Sequence, residues 1–215
     1  MNEIFISHSK RDEQSMKFFN RLFSSTKVKA IYEEIDGLQG FEVNSNKIKT
    51  DIQNSSALFL LHDNLIESMS HTRDWITWEC GIANGLNKEI WMFEKSTQTR
   101  INKMVIPHVN NLVVYEPKNE DWIRYLLPII NKFEEYSKIA TPIIGAAIGA
   151  SISEDKVIGG LVGLGIGALL NKQNPVPNGE WFMCFNKCKS NFKIHIPPNQ
   201  LFRCPICNEM YQMNK

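Results

Sequence analysis

Two groups of residues in this chain of 215 combine types and spacings able to do chemistry. The first is Trp75-Ile76-Thr77-Trp78-Glu79. On a helix, Trp75 and Glu79 stand four residues apart on one face, so an indole and a carboxylate project together. A carboxylate held by a rigid helix can stabilise positive charge as it develops, and an aromatic neighbour can wall off water. The competing explanation is packing, because tryptophans are mostly core or interface residues and the dipole favours a Glu early in a helix. The second group is Cys184 and Cys188, then, after fifteen residues, Cys204-Pro205-Ile206-Cys207. Two thiolate pairs at this spacing suit tetrahedral zinc with all four positions filled, hence a structural metal. A redox role for Cys204 and Cys207 would leave the other pair unexplained, and His195 is a spare candidate ligand between them.

These residues need a scaffold, and apolar periodicity predicts one over residues 1–136. Ile4-Phe5-Ile6 reads as a first strand, followed by a helix from Asp12 to Phe23 with Met16, Phe19, Leu22 and Phe23 on one face. Ala30 to Tyr32 is a second, weaker strand. A loop holding Asp36, Gly37, Gly40 and Asn44 leads to a helix over residues 45–53, then to a third strand, Ala57 to Leu61, apolar enough to be buried on both faces. The pattern repeats with a helix from Asp74 to Leu86, Asp74 serving as N-cap, and a fourth strand from Ile90 to Phe93. Leu112 to Val114 is a fifth strand, and Trp122 to Tyr136 a last amphipathic helix. Alternation of this kind implies an α/β fold with a parallel five-stranded sheet covered by helices on both faces, and ligands bind such sheets outside the carboxyl ends of the strands. The start of the helix carrying Trp75 and Glu79 falls at that rim. Cys80, just after Glu79, reads as a small packing residue. His62, just past the third strand, is a weaker candidate, since a lone histidine there is usually half-exposed.

Composition bounds the rest. Hydrophobic residues make up 43% and charged residues 22%, which is ordinary for a globular chain and excludes disorder or a collagen-like repeat. With 24 Lys or Arg against 23 Asp or Glu, the net charge of +1 cannot supply a whole-surface field for DNA or an anionic membrane. Five cysteines are too few for a disulfide scaffold, and Met1-Asn2-Glu3 lacks the basic start of a signal peptide, so a cytoplasmic setting with reduced thiols is expected. Residues 139–170 differ in kind: seven glycines lie among mainly Ile, Ala, Leu and Val, and the only charged residues are Glu154, Asp155 and Lys156. Each half is about 21 to 23 Å long as helix, short of a hydrocarbon core of about 30 Å. A helical hairpin with the charges at its tip is therefore expected, its glycines on one stripe allowing close approach. Membrane association and burial against protein both remain open for it. Residues 171–215 carry six Lys or Arg and two Asp or Glu, and aromatic Trp181, Phe185, Phe192 and Tyr211. Contact with nucleic acid, contact with protein, or simple stapling of the chain are all compatible with that mixture.

The order of features over residues 1–136 resembles a TIR (Toll/interleukin-1 receptor) domain of prokaryotic type. Ile4-Phe5-Ile6-Ser7-His8-Ser9 with Asp12 is similar to the family's opening strand, residues 33–40 stand where its long BB loop lies, and Trp75 to Glu79 matches its Trp-x-x-x-Glu motif. The chain departs from the pattern in having Ile76 where Cys is common and in lacking a Pro-Gly pair in the BB loop. The resemblance implies a flavodoxin-like fold, cleavage of NAD at the nicotinamide glycosidic bond with Glu79 as catalytic carboxylate, self-association, and a role in antiphage or cell-suicide signalling. It also implies that Ser7, His8, Ser9, Lys10 and Trp75 contact NAD, although Ser9 to Asp12 is equally an ordinary helix-capping sequence. A TIR adaptor acting only by homotypic contact is the alternative. Residues 139–170 resemble the glycine-zipper hairpins of membrane-active proteins, which implies a second expected location at the membrane. Cys204 to Cys207 resembles a zinc-ribbon knuckle, giving three expected parts: 1–136, 139–170 and 171–215.

Overall fold

Five apolar runs of four to seven residues become parallel strands of one sheet: β1 (Glu3–Ser7), β2 (Lys29–Tyr32), β3 (Ala57–His62), β4 (Glu89–Lys95) and β5 (Asn111–Tyr115). Their spatial order is β2-β1-β3-β4-β5, every neighbouring pair parallel, which is the doubly wound, flavodoxin-like order. A computed structural model describes residues 2–8, 12–32, 41–63, 70–96, 106, 108–139, 179–185, 187–197 and 200–213 of the chain. Residues 33–40, the expected BB loop, and residues 140–170 of the glycine-rich hairpin lie outside the described residues. No helix among the described residues is long and apolar enough to cross a membrane.

Strand alternation sorts the apolar side chains into two cores, one on each face of the sheet. Ile4, Ile6, Phe59, Leu61, Trp91, Phe93 and Val113 pack on one face against α1 (Glu13–Ser24) and, later in the chain, α4 (Asp121–Ile139). Phe5, Leu58, Leu60, Ile90, Met92, Leu112 and Val114 pack on the other against α2 (Phe41–Asn54) and α3 (Ser70–Gly85). Asp12 caps α1 through Ser15, as its sequence position implies; its carboxylate accepts from the Ser15 amide at 3.2 Å and the Ser15 hydroxyl at 2.6 Å.

Two expectations need correction. Asp74 is not an N-cap: α3 starts at Ser70, because nothing in Ser70-His71-Thr72-Arg73 opposes a helix. Glu79 therefore stands in the middle of α3, beyond the reach of the N-terminal dipole, which falls off within the first turn. The sheet also does not stop at β5. All five residues of β5 are buried, and a strand of that composition makes a poor edge. Chain from the cysteine-bearing segment covers it: β7 (Asn191–His195) pairs parallel with β5, and β6 (Glu180–Met183) pairs antiparallel with β7 as the outer edge. A separate two-stranded sheet, β8 (Leu201–Arg203) and β9 (Met210–Gln212), completes this segment. Phe192, Ile194, Cys184 and Cys204 continue the core that contains Leu112 and Val114.

Candidate functional site

The topological switch point of a 2-1-3-4-5 sheet lies between β1 and β3, where the chain departs in opposite directions and leaves a crevice at the carboxyl ends. Ser7 ends β1 at that point and is 3% exposed. Its side chain faces the α2/α3 layer, two residues beyond Phe5, and its hydroxyl donates to Glu79 Oε2 at 2.5 Å. Glu79 itself is 3% exposed. Burial pushes its carboxyl up to about 7, against the hydrogen bonds from Ser7 and Trp75 that favour the charged form. Among the described residues no cationic side chain pairs with it. A carboxylate so enclosed, holding hydroxyl and indole donors and, among the described residues, no counter-charge, is a place where a cation gains by arriving.

Trp75 lies one turn before Glu79 and is buried in the α2/α3 core with its ring centroid 4.8 Å from that of Trp78. Trp78, at 36% exposed, is the outer member of the pair. His8 follows Ser7 and is half-buried, its ring 5.6 Å from the Tyr32 ring at the end of β2. Ser9 and Lys10 lie outside the described residues. Cys80 is buried, and burial together with the neighbouring Glu79 charge pushes its thiol up, in keeping with a packing role.

The same rim holds polar residues that the sequence did not single out as a unit. His62 ends β3 and lies opposite Glu94 of β4 in the strand register, with His62 Nδ1 and Glu94 Oε1 3.1 Å apart. His62 is 2% exposed rather than half-exposed, because the strand runs one residue further than its apolar run and takes the ring inside. On the opposite face, Lys95 donates to Asp12 at 2.8 Å and the Tyr115 hydroxyl donates to Ser15 at 2.7 Å, tying the start of α1 to the ends of β4 and β5. Burial alone would raise the Asp12 carboxyl, but the Lys95 and Ser15 hydrogen bonds overcome it and hold the group below its usual range.

Far from this rim in sequence, Cys184, Cys188, Cys204 and Cys207 come together with every pair of sulfurs within 4.8 Å. The Cys184–Cys207 and Cys188–Cys204 sulfur distances are 3.5 and 3.7 Å. A tetrahedral ion with metal–sulfur bonds of about 2.3 Å requires sulfurs about 3.8 Å apart, so the donor set fits zinc. The two knuckles share one backbone pattern. The Lys189 and Asn208 amides donate to the carbonyls of Cys184 and Cys204, whose own amides donate to the carbonyls of Ser190 and Glu209. Lys189 and Asn208 adopt φ of 58° and 63°, each just after the second cysteine of its pair. Outer partners are present too: the Tyr211 hydroxyl lies 3.1 Å from Cys184 Sγ and the Ser190 hydroxyl 2.6 Å from Cys188 Sγ.

His195 is not a fifth ligand. Alternation along β7 turns it to the face opposite the cysteines, where its ring packs 5.4 Å from that of Trp91. Nδ1 lies 2.5 Å from the Tyr125 hydroxyl of α4 and Nε2 3.4 Å from Asn111 Oδ1. Burial and the nearby Lys193 charge push its pKa down to about 4, so the imidazole is neutral and joins the cysteine segment to α4.

No family model matches the chain, and no curated protein matches it. Among solved structures it is similar to the TIR domains of the activated Roq1 resistosome, a structure described as directly recognising the pathogen effector XopQ. That likeness has a TM-score of 0.35 and 9% identity over 79% of this chain and 100% of the other.

Proposed function

We propose that the chain is a TIR-type effector that cleaves NAD at the bond between nicotinamide and ribose, with Glu79 as the catalytic carboxylate. The observation that carries this is the buried Glu79 at the switch point, donor-supported by Ser7 and without a cationic partner among the described residues. NAD presents a cationic pyridinium joined to a ribose. Nicotinamide leaves as a neutral molecule, so the departure needs no general acid, and what must be stabilised is the oxocarbenium-like ribosyl centre. Positive charge on the substrate and then on the ribosyl carbon draws the Glu79 proton off and makes the ionised carboxylate the favoured form. Ser7 holds one carboxylate oxygen, and Trp75 supports the charge from the helix while closing the core behind it. His8, Ser9 and Lys10 follow Ser7 in sequence and supply contacts for ribose or pyrophosphate, and self-association accompanies activity.

The four cysteines would hold one structural zinc, and with every position taken by sulfur the ion would supply folding energy rather than chemistry. Residues 139–170 form the apolar element through which the protein associates with itself or with a membrane. The proposed setting is antiphage or cell-suicide signalling.

Nicotinamide release from NAD, compared between wild type and Glu79→Ala at matched zinc content, tests the catalytic assignment. Release by wild type and a loss of about 100-fold or more in the variant is expected. Equal release from both removes Glu79 from the site. No release from wild type under any assembly condition favours an adaptor that works by homotypic contact alone.

A further inference from the structure

Loss of nicotinamide leaves a ribosyl cation that must meet a nucleophile, and the end of the sheet that holds Glu79 also holds a group suited to deliver one. Ser7, His62 and Glu94 each lie two residues beyond a side chain of the α2/α3 core, namely Phe5, Leu60 and Met92. Period-two alternation therefore puts all three on the face that bears Glu79. Ser7 pairs with Leu60 across β1 and β3, and His62 pairs with Glu94 across β3 and β4. A lateral step of one strand and an advance of two residues separate the Ser7 and His62 Cα atoms by about 8 Å. The His62 side chain is fully buried and that of Glu94 is 8% exposed, with the imidazole Nδ1 3.1 Å from the carboxylate.

We propose that His62, oriented by Glu94, is the general base that delivers water to the ribosyl carbon, making the enzyme a hydrolase rather than a cyclase. This rests on the NAD-cleaving reading of Glu79. In the step, the carbon–nitrogen bond breaks and its electron pair leaves on nicotinamide. Water oxygen bonds to the ribosyl carbon, and the water proton passes to His62 Nε2 while the Glu94 carboxylate, 3.1 Å from Nδ1, stabilises the imidazolium that forms. The proton then goes to solvent, so NAD⁺ and water give ADP-ribose, nicotinamide and H⁺. A carboxylate that fixes the tautomer and supports the imidazolium is the arrangement general-base histidines use.

A pyridine nucleophile distinguishes this role from a structural one, because it has no proton to lose when it attacks and so needs no base. Full-length protein is incubated with NAD and 3-acetylpyridine, and ADP-ribose is measured against the exchanged dinucleotide for wild type, His62→Gln and Glu94→Gln. The ratio does not depend on how much of each variant is folded. The expected result is a fall of about 10-fold or more in the ratio for His62→Gln, and a smaller fall in the same direction for Glu94→Gln. If wild type forms no exchange product, a similar loss of ADP-ribose formation at unchanged KM in His62→Gln supports the assignment. A ratio or rate that both variants keep within about twofold overturns the base while leaving Glu79 in place. Absence of nicotinamide release from wild type overturns the NAD-cleaving reading and the base together.

Discussion

Replacing Glu79 by Gln tests the physical state of the carboxyl without any substrate. An ordinary Glu titrates at 4.5, and burial lifts Glu79 to about 7. Its folded-state pKa is the higher one, so between those values the folded protein holds a proton that the unfolded chain has released. The stability this represents is present in full below 4.5, is lost as pH rises through about 7, and is gone above. At 1.36 kcal/mol for each pKa step, the difference between 4.5 and about 7 corresponds to about 3 kcal/mol, of which about 2.5 kcal/mol falls between pH 5 and pH 8. Gln cannot ionise and keeps an oxygen that accepts from Ser7. Any cost of placing its amide group near the Trp75 indole is the same at both pH values and cancels when they are compared. The variant should therefore gain on wild type by about 2.5 kcal/mol on going from pH 5 to pH 8, or about 5 to 10 °C in midpoint for a chain of this size. Thermal and urea unfolding of both proteins, zinc-saturated and at one ionic strength, measure it. A difference in midpoint that stays constant from pH 5 to pH 8 would refute the idea that Glu79 is forced to hold its proton by burial.

Three other perturbations have definite outcomes. Ser7→Ala removes the 2.5 Å donor to Glu79, a hydrogen bond to a charged group worth about 1.5 to 3 kcal/mol. The rising limb of the kcat/KM profile against pH, expected near 7 for wild type, should move upward and nicotinamide release at neutral pH should fall by about tenfold or more. Cys204→Ser should abolish a stoichiometry of about one zinc per chain by metal analysis, and hydrogen exchange should quicken in β6 and β7 while β1 and β3 stay protected. Gly179→Ala places a Cβ 2.3 Å from His195 Cε1 and must displace the ring from Trp91 and Tyr125; a loss of about 1 to 3 kcal/mol in urea unfolding is expected, and wild-type stability would exclude the His195 contact as a support.

The elements that carry strong periodicity are legible in the sequence itself. β1, β3 and β4 form where Ile4-Phe5-Ile6, Ala57 to Leu61 and Ile90 to Phe93 predict them, because continuous apolar runs bounded by turn residues have few other ways to be buried. Boundaries were less legible. The start of α3 depends on what precedes Asp74, where Ser, His, Thr and Arg tolerate helix and coil almost equally. The Ser7–Glu79 contact spans 72 positions and has no local signature in either residue. His62 stood out only as a weaker, lone candidate, and its pairing with Glu94 was hidden for the same reason. Each is a polar residue ending an apolar run, and only strand pairing puts them side by side. Tyr211 and Ser190, the outer partners of the sulfurs, were visible only as residue types near the cysteines.

Residue types and spacing alone determined that the chain alternates strand and helix, that four cysteines are spaced for one tetrahedral metal, and that an indole and a carboxylate share a helix face. These follow from local rules, namely the periods of strand and helix and the reach of a two-cysteine knuckle. Tertiary structure alone decided that Glu79 is deeply buried against Ser7, that His62 meets Glu94, and that the cysteine segment lengthens the sheet instead of hanging from it. Burial is a property of what the whole chain packs around a group. A carboxylate four residues from a tryptophan has the same sequence whether it titrates at 4.5 or at about 7, and the difference arises only when the sheet closes over it.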